Sequence, residues 1–290
     1  MIKKIVPLVL FSSLIAFCQR DSSILTELYS LPKQLKEVSG IVFSDSLNLT
    51  WTLEDSGNAN VIYGLDENGK LEKSITISQT ENIDWEDITK DKLGNLYIGD
   101  FGNNNNERQD LAIYKIAKDS LKNQSVIPAY KISFAYPEQT EFPPKKSKLF
   151  YDVESFIEYN NNFYLFTKNR SKGFDGTTLL YEIPNKSGAH QAQLLGKFKT
   201  EGDFQNAAIT SAAISPDGKK VVLLSHSQLW IFENFTSDNF FSGKVKNIQL
   251  NHFSQKEAIC FKDNKTLLIA DEKVKKTGGK LYQLDLDTID

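Results

Sequence analysis

A fivefold internal repeat limits the folds open to this chain more than any other feature. Each copy opens with a short apolar strand led by a small or acidic residue, passes through a polar turn into a second strand, and adds a third strand. The copies begin at Val38, Trp85, Val153, Ile209 and Lys256. Units of this size cannot bury a core alone, so neighbouring copies must pack against one another.

Tandem units of four antiparallel strands predict a β-propeller, in which each unit forms one blade. A fourth strand follows the third in the first four copies but not in the last. The strand-like segment Leu25–Tyr29 precedes the first copy and can supply the missing outer strand. We therefore predict an all-β fold over residues 24–290, a single domain of five four-stranded blades closed by the N-terminal strand.

A six-bladed propeller is the alternative. Its additional blade would have to lie in the long second copy, between Asp119 and Leu149. Proline cannot donate to the ladder of a central strand, and this stretch contains four: Pro128, Pro137, Pro143 and Pro144. The stretch therefore favours an excursion between two blades.

Residues 1–18 are predicted to form a secretory signal peptide. Two lysines precede an apolar run from Ile5 to Phe17, which is too short to span a bilayer as a mature helix. The run ends at Cys18 in a string that resembles a bacterial lipobox, although Phe17 stands where a small residue is usual. We expect lipidation of Cys18, with an ordinary signal peptide as the alternative. The protein is then exported, as a cell-envelope or outer-membrane lipoprotein, or otherwise as a periplasmic or secreted protein.

The charge balance and the missing motifs limit the function. The chain has 34 basic and 37 acidic residues and a net charge of −3, whereas nucleic-acid binders carry a basic excess. Its three histidines lack the spacing of zinc ligands, and neither a nucleophile elbow nor a phosphate-binding glycine loop is present. We expect an unknown small molecule or an envelope partner, and membrane contact only through the N-terminal lipid.

Equivalent positions on successive blades of a propeller point at one central axis. The residue in this position of each copy is predicted to line the channel: Ser39, Glu86, Glu154, Thr210 and Glu257. Three carboxylates on one axis repel one another unless a cation compensates them. Ca²⁺ accepts irregular cages of carboxylate and amide oxygens, so we expect it to bind Glu86, Glu154 and Glu257. In the alternative, Lys168 or His226 balances the acids through internal ion pairs.

Polar residues at the ends of the second strands are predicted to surround the mouth of this channel. With Ser39 and Thr210 of the wall, the candidate ligand-binding residues are Asp55, Asp100, Lys168, Asn169, Asp271 and Glu272. His226 lies at the same rim and is the candidate general base if the protein is an enzyme. Cys260 lies in an apolar strand and is predicted to be a buried, unreactive thiol.

Several strings resemble a group of secreted bacterial propellers similar to the SdiA-regulated family and to the family named for the esterase-like activity of phytase. These strings are Ile83–Ile88, Gly94–Asn104, Ile113–Ile116, Tyr151–Ser155, Phe166–Lys168 and Lys256–Ile259. The resemblance implies a secreted propeller with an acidic, Ca²⁺-binding centre. More distantly, gluconolactonase- and paraoxonase-type propellers hold Ca²⁺ on their axis, where it polarises an ester or lactone carbonyl. That likeness implies roles in holding an axial Ca²⁺ and in its action on the carbonyl for Glu86, Glu154, Glu257, Asp100, Asp271 and Asn169.

Two functions from different classes follow. The first is a cell-envelope binding module with an acidic, Ca²⁺-binding channel. The alternative is a Ca²⁺-dependent hydrolase of an ester, lactone or phosphoester, in which the ion acts as a Lewis acid. We favour the binding module, because the sequence shows no activated nucleophile.

Overall fold

The structure, a computed structural model, describes residues 23–289. The predicted signal peptide and Cys18 lie outside this range. Five mainly antiparallel sheets follow one another along the described chain, and each forms one blade. In four of them the strands follow chain order from the inside outwards, and in the last the outermost strand comes from the N-terminal end of the described residues.

The first strand, β1 (Thr26–Ser30), precedes the first blade. Blade 1 contains β2 (Val38–Ser44), β3 (Leu49–Glu54), β4 (Val61–Leu65) and β5 (Leu71–Ile77). Blade 2 contains β6 (Trp85–Lys90), β7 (Leu96–Asp100), β8 (Ala112–Ile116) and, after the short β9 (Ser125–Val126), β10 (Tyr130–Ala135). Blade 3 contains β11 (Asp152–Tyr159), β12 (Asn162–Lys168), β13 (Thr177–Pro184) and, after the short β14 (Gly188–Gln191), β15 (Gln193–Lys199).

A single-turn helix, α1 (Phe204–Ala207), leads into blade 4. Blade 4 contains β16 (Ser211–Ile214), β17 (Lys220–Leu224), β18 (Gln228–Glu233) and β19 (Lys244–Gln249). Blade 5 contains β20 (Lys256–Phe261), β21 (Thr266–Val274) and β22 (Thr277–Asp285). Short 3₁₀ turns lie at Lys118–Ser120, Phe240–Ser242 and Leu286–Thr288.

The N-terminal strand closes the ring. Strand β1 pairs antiparallel with β22, with Thr26 opposite Gln283 and Ser30 opposite Lys280. The prediction of five four-stranded blades is therefore confirmed. A sixth blade is excluded, because residues 119–149 contribute only β9, β10 and connecting loops.

Two short strands that the sequence analysis did not predict cover the outer edges of two sheets. Strand β9 pairs parallel with β5 of blade 1, and β14 pairs parallel with β10 of blade 2. Each lies alongside an outer strand whose unpaired backbone groups would otherwise face solvent. The excursion within the second copy thus returns to protect the preceding blade.

The hydrophobic core lies between the blades, as five clusters that each join two neighbours around the ring. Trp85, for example, is fully buried between blades 1 and 2, as expected for a core residue. No helix of residues 23–289 is both long and apolar enough to cross a bilayer.

A layer of mostly small residues brings the innermost strands together at mid-channel. It consists of Gly40, Asp87, Ser155, Ser211 and Ala258. A Cβ atom on Gly40 would lie 2.7 Å from the Asp87 Cα, so only glycine fits there. Asp87 is buried and accepts hydrogen bonds from the backbone N–H of Ile88, at 2.8 Å, and of Phe156 in blade 3, at 3.1 Å. These contacts join blade 1 to blade 2 and blade 2 to blade 3.

Candidate functional site

A β-bulge recurs near the start of four of the five innermost strands. The residues left out of the pairing are Ser39, Glu86, Glu154 and Glu257. A bulge interrupts the alternation of side chains along a strand and re-aims one of them. Here it directs all four side chains to the same end of the channel.

A cavity of about 490 Å³, which we call the polar mouth, opens at this end. Six carboxyl groups line it, against one lysine, one arginine and one histidine. The acids are Asp55, Asp84, Glu86, Glu154, Glu257 and Glu272, and the bases are Lys168, Arg170 and His226. The predicted acidic channel therefore exists: five of these acids were predicted to lie there, and Asp84 is the sixth.

The two cations of the polar mouth are paired within blade 3. Arg170 donates from Nη2 to Glu154 Oε1 at 2.6 Å and from Nε to Asp152 Oδ2 at 2.5 Å. Lys168 donates from Nζ to Glu154 Oε2 at 3.0 Å. Burial acts to raise the pKa of Glu154, but Lys168 and Arg170 outweigh it and bring this pKa to about 2. Glu154 is thus a charged carboxylate whose two oxygens are both occupied.

His226 of blade 4 and Glu257 of blade 5 form a second pair. His226 Nε2 lies 2.9 Å from Glu257 Oε1, and Lys168 Nζ lies 3.9 Å from Glu257 Oε2. The other ring nitrogen of His226, Nδ1, is buried and has no hydrogen-bond partner among residues 23–289. Both nitrogens are therefore withheld from a ligand in this arrangement. Lys168 and His226 make the internal pairs given above as the alternative to a metal.

Four acids of the polar mouth make no ion pair with any described residue: Asp55, Asp84, Glu86 and Glu272. Burial and the neighbouring carboxylates raise the pKa of Asp55 to about 7 and that of Glu272 to about 8. Burial likewise raises the pKa of Asp84, against hydrogen bonding from Ser56. These shifts share one cause, which is negative charge confined in a partly desolvated space.

Glu86 is the most isolated of the four. Its side chain is 9% exposed and makes no hydrogen bond to a described residue. Burial and the charges of Glu154, Asp84 and Asp152 raise its pKa well above the ordinary value. The backbone of Gly102 lies directly against it, because a Cβ there would be 2.3 Å from Glu86 Oε1. Glu86 thus projects into the cavity a carboxyl group that makes no ion pair with a described residue, and the charge of Lys168 opposes the rise in its pKa only in part.

Glu86 also belongs to the one group of carboxyls in residues 23–289 that is compact enough to hold a metal ion. One oxygen each of Glu86, Asp152 and Glu154 lies within 4.8 Å of the others, and all three residues are buried. Asp152 takes the place that the sequence analysis gave to Glu257. Burial and the Glu154 carboxylate raise the pKa of Asp152 to about 7, against the effect of Arg170. Carboxylate oxygens at this spacing fit a hard cation such as Ca²⁺, and the choice of calcium stays a prediction.

The other predicted site residues divide into two groups. Asp55, Lys168 and Glu272 line the polar mouth, as does Ser39. Ser39, however, donates its hydroxyl to the Trp85 carbonyl at 2.9 Å and so ties blade 1 to blade 2. Thr210 is buried off the cavity and ties blade 4 to blade 5 in the same way, through the Lys256 carbonyl at 2.6 Å.

Three further predicted residues do not line the polar mouth and hold local structure instead. Asp100 accepts a hydrogen bond from Arg108 Nη2 at 3.0 Å. Asn169 donates to Asp175 at 3.0 Å. Asp271 accepts from the hydroxyl of Tyr282 at 3.0 Å. All three are buried; Asp100 and Asn169 lie at strand ends, whereas Asp271 lies within β21 and joins it to β22.

Sequence reasoning missed Asp84, Asp152 and Arg170. Asp152 and Arg170 each lie two residues from a predicted site residue, Glu154 or Lys168. Nearness in sequence was the signal that could have found them, although the bulge at Glu154 interrupts the alternation of β11 and Arg170 lies beyond the end of β12. Asp84 precedes the bulge of β6, in a loop whose course the sequence does not show.

No family model and no curated protein matches the chain. Solved structures match its fold. A chain of the nidogen/laminin complex is 13% identical, with 90% of this chain and 80% of that chain covered and a TM-score of 0.52. A gluconolactonase from Xanthomonas campestris is 12% identical, with coverage of 86% and 71% and a TM-score of 0.46. The β-propeller domain of Cps50 (Swd1) from Myceliophteria thermophila is 10% identical, with coverage of 89% and 98% and a TM-score of 0.45.

At these identities the likeness concerns the fold alone. The chain is a five-bladed β-propeller, and its neighbours assign it no activity. The narrower resemblance to the SdiA-regulated and phytase-esterase-like families stays a prediction.

Proposed function

We propose that this protein is a binding module that takes a cationic ligand in its polar mouth. The observation that carries the proposal is Glu86, a buried carboxyl that makes no ion pair or hydrogen bond with a described residue, beside three more acids without an ion pair. A carboxylate in such a space is costly unless a positive charge joins it. A bound cation removes that cost, so the binding of a positively charged ligand in the polar mouth is favourable.

Ca²⁺ is the first cation to test. Glu86, Asp152 and Glu154 offer oxygens at a suitable spacing. However, Arg170 and Lys168 already occupy oxygens of Asp152 and Glu154, and an ion there would meet their charge. Asp55 and Glu272, on blades 1 and 5, lie outside that compact group. A ligand with spaced ammonium groups would reach them without entering the Arg170 pair.

Isothermal titration with CaCl₂ and, separately, with spermidine distinguishes these occupants. We expect one of the two to bind saturably, and Glu86→Gln to weaken it by about tenfold, which corresponds to ~1.4 kcal/mol for one charged contact. Glu67→Gln makes the same chemical change in an exposed turn and is the matched control. Heat from neither cation, or equal affinities in wild type and Glu86→Gln, would overturn the proposal.

The hydrolase alternative rests on His226 beside the acidic cavity. It receives less support, because Nε2 of His226 contacts Glu257 and Nδ1 is sealed from solvent. A base must reach the proton that it removes, so catalysis would require the pair with Glu257 to open. Turnover of an ester, lactone or phosphoester that is lost in His226→Gln, with the fold intact, would favour this alternative.

We propose the cell envelope as the place of action. This part rests on residues 1–18 and on Cys18 in its lipobox-like string. Mass spectrometry of the mature protein from its native host tests it. A diacylglyceryl-modified Cys18 at the N-terminus supports a lipoprotein, cleavage beyond Cys18 supports release in soluble form, and an intact Met1 contradicts export through this signal.

A further inference from the structure

A second cavity, of about 360 Å³, opens at the end of the channel opposite the polar mouth. We call it the far cavity. Its walls are apolar and come from all five blades, through Val42, Ile88, Phe156, Ala213, Ile259 and Phe261. The mid-channel layer of Gly40, Asp87, Ser155, Ser211 and Ala258 lines neither cavity among the described residues. The far cavity is therefore a separate site.

Blade 4 provides the space. Ala212 and Ala213 occupy the positions that Phe156 and Ile157 hold in blade 3, as the pairing of the inner strands shows. The alanines leave room that larger side chains fill elsewhere in the ring. Protein interiors are otherwise closely packed, so an apolar opening of this size is a site that an apolar molecule can fill.

The rim of the far cavity has three lysines and three acids, but the acids are engaged. Asp45 pairs with Lys90 at 2.9 Å. Asp91 accepts hydrogen bonds within its own turn, from the backbone N–H of Leu93 and Asn95 at 2.9 Å each, and one at 2.9 Å from the hydroxyl of Tyr97.

Glu158 accepts a hydrogen bond from the backbone N–H of Asn161 at 2.8 Å. Burial and the Asp91 carboxylate raise its pKa, although Lys92 and Lys115 oppose the shift. The ammonium groups of Lys92 and Lys118 make no hydrogen bond or ion pair to a described residue, and both side chains are exposed at the rim. Lys92 and Lys118 thus hold the two ammonium groups of the rim that no described carboxylate pairs with, while Asp91 and Glu158 are held by hydrogen bonds from uncharged groups.

We propose that the far cavity binds an anionic amphiphile, a small molecule with an apolar body and a single carboxylate, sulfonate or phosphate group. The body fills the space beside Ala212 and Ala213. The anion lies at the rim between Lys92 and Lys118. This ligand is opposite in charge to the one proposed for the polar mouth, and the two sites are independent.

A pair of fluorescent probes tests this proposal. 1-Anilinonaphthalene-8-sulfonate carries a sulfonate group, and N-phenyl-1-naphthylamine has the same rings without the sulfonate. We expect the sulfonate to bind saturably at one site per chain and more tightly than the neutral probe. The double variant Lys92→Gln/Lys118→Gln should weaken sulfonate binding by about fivefold, the effect of two exposed ion pairs, and leave the neutral probe unchanged. Lys33→Gln, also exposed, is the matched control.

Ala213→Phe should abolish binding of both probes, because its ring fills the cavity. If that variant fails to fold, the lysine variant still decides, since its side chains are exposed. Glu86→Gln should leave both affinities unchanged and so separates this site from the polar mouth. Unsaturable binding, equal affinity for the two probes, or a sulfonate affinity that the lysine variant does not change would overturn the proposal.

Discussion

The polar mouth and the far cavity are the two ends of one channel, and the same five inner strands line both. At the polar mouth the bulged residues Glu86, Glu154 and Glu257 converge with further acids. At the far cavity the same strands have resumed regular pairing and present Ile88, Phe156 and Ile259. The difference shows that a bulge, repeated at one position, gives one end of a channel its charge while the rest of each strand serves the core.

The two ends also differ in how their charges are held. At the polar mouth the cations are paired and four acids are not, whereas at the rim of the far cavity the acids are engaged and two lysines are not. Removing one positive charge from the polar mouth and one from the far cavity should therefore change the free energy of unfolding by different amounts.

The largest effect is expected at Arg170. Arg170→Gln leaves Asp152 and Glu154 buried without their shared partner, and breaking a buried pair costs about 3–5 kcal/mol of unfolding free energy. Lys92→Gln at the other end removes a positive charge that has no such pair, so we expect a change within about 0.5 kcal/mol. Urea denaturation measures both. Equal effects at the two ends would contradict the contrast.

The mid-channel layer packs neighbouring inner strands closely together, and Gly40→Ala tests this packing. The new Cβ would meet the backbone of Asp87 and Ile88 at 2.7 Å, and such overpacking costs about 1–3 kcal/mol. Gly196→Ala, whose Cβ would come no closer than 3.7 Å to any described neighbour, is the control that should retain wild-type stability. A Gly40→Ala protein as stable as wild type would show that the strands can separate there.

A smaller effect concerns pH. Asp55 and Glu272 have pKa values of about 7 and about 8 when folded, above the values of carboxyls in an unfolded chain. Between pH 4 and pH 8 the folded state therefore binds more protons than the unfolded state. The contribution of Asp55 and Glu272 to the free energy of unfolding falls as the pH rises through this range. Asp55→Asn/Glu272→Gln should gain stability relative to wild type over this range. A constant difference between the melting temperatures of the two proteins would contradict the shifts.

The fold was accessible from the sequence, because the repeat of strand and turn signals fixed the blade number and Leu25–Tyr29 supplied the closing strand. The edge-covering strands β9 and β14 were not, since each is short and pairs with the preceding blade and not with its own. Local patterns do not encode which neighbouring edge such a short strand joins.

The site was accessible only in part. The repeat placed Glu86, Glu154 and Glu257 at one end of the channel. It did not predict which of two consecutive residues near the end of a second strand faces the cavity. Asp55 and Glu272 line the polar mouth, while Glu54 and Asp271, one residue earlier, do not. A one-residue change of register reverses the face of a strand, and the bulges that set this register have no sequence signature of their own.

The central claim is that Asp55, Asp84, Glu86 and Glu272, the acids of the polar mouth without an ion pair, have raised pKa values because no described cation pairs with them. The most direct test counts the protons released when a saturating cation, CaCl₂ or spermidine, is added to the protein in weakly buffered solution at pH 7. We predict net release of protons from wild type, and less from Glu86→Gln and from Asp55→Asn/Glu272→Gln. A cation that binds without releasing protons, or releases equal numbers from all three proteins, would contradict the account.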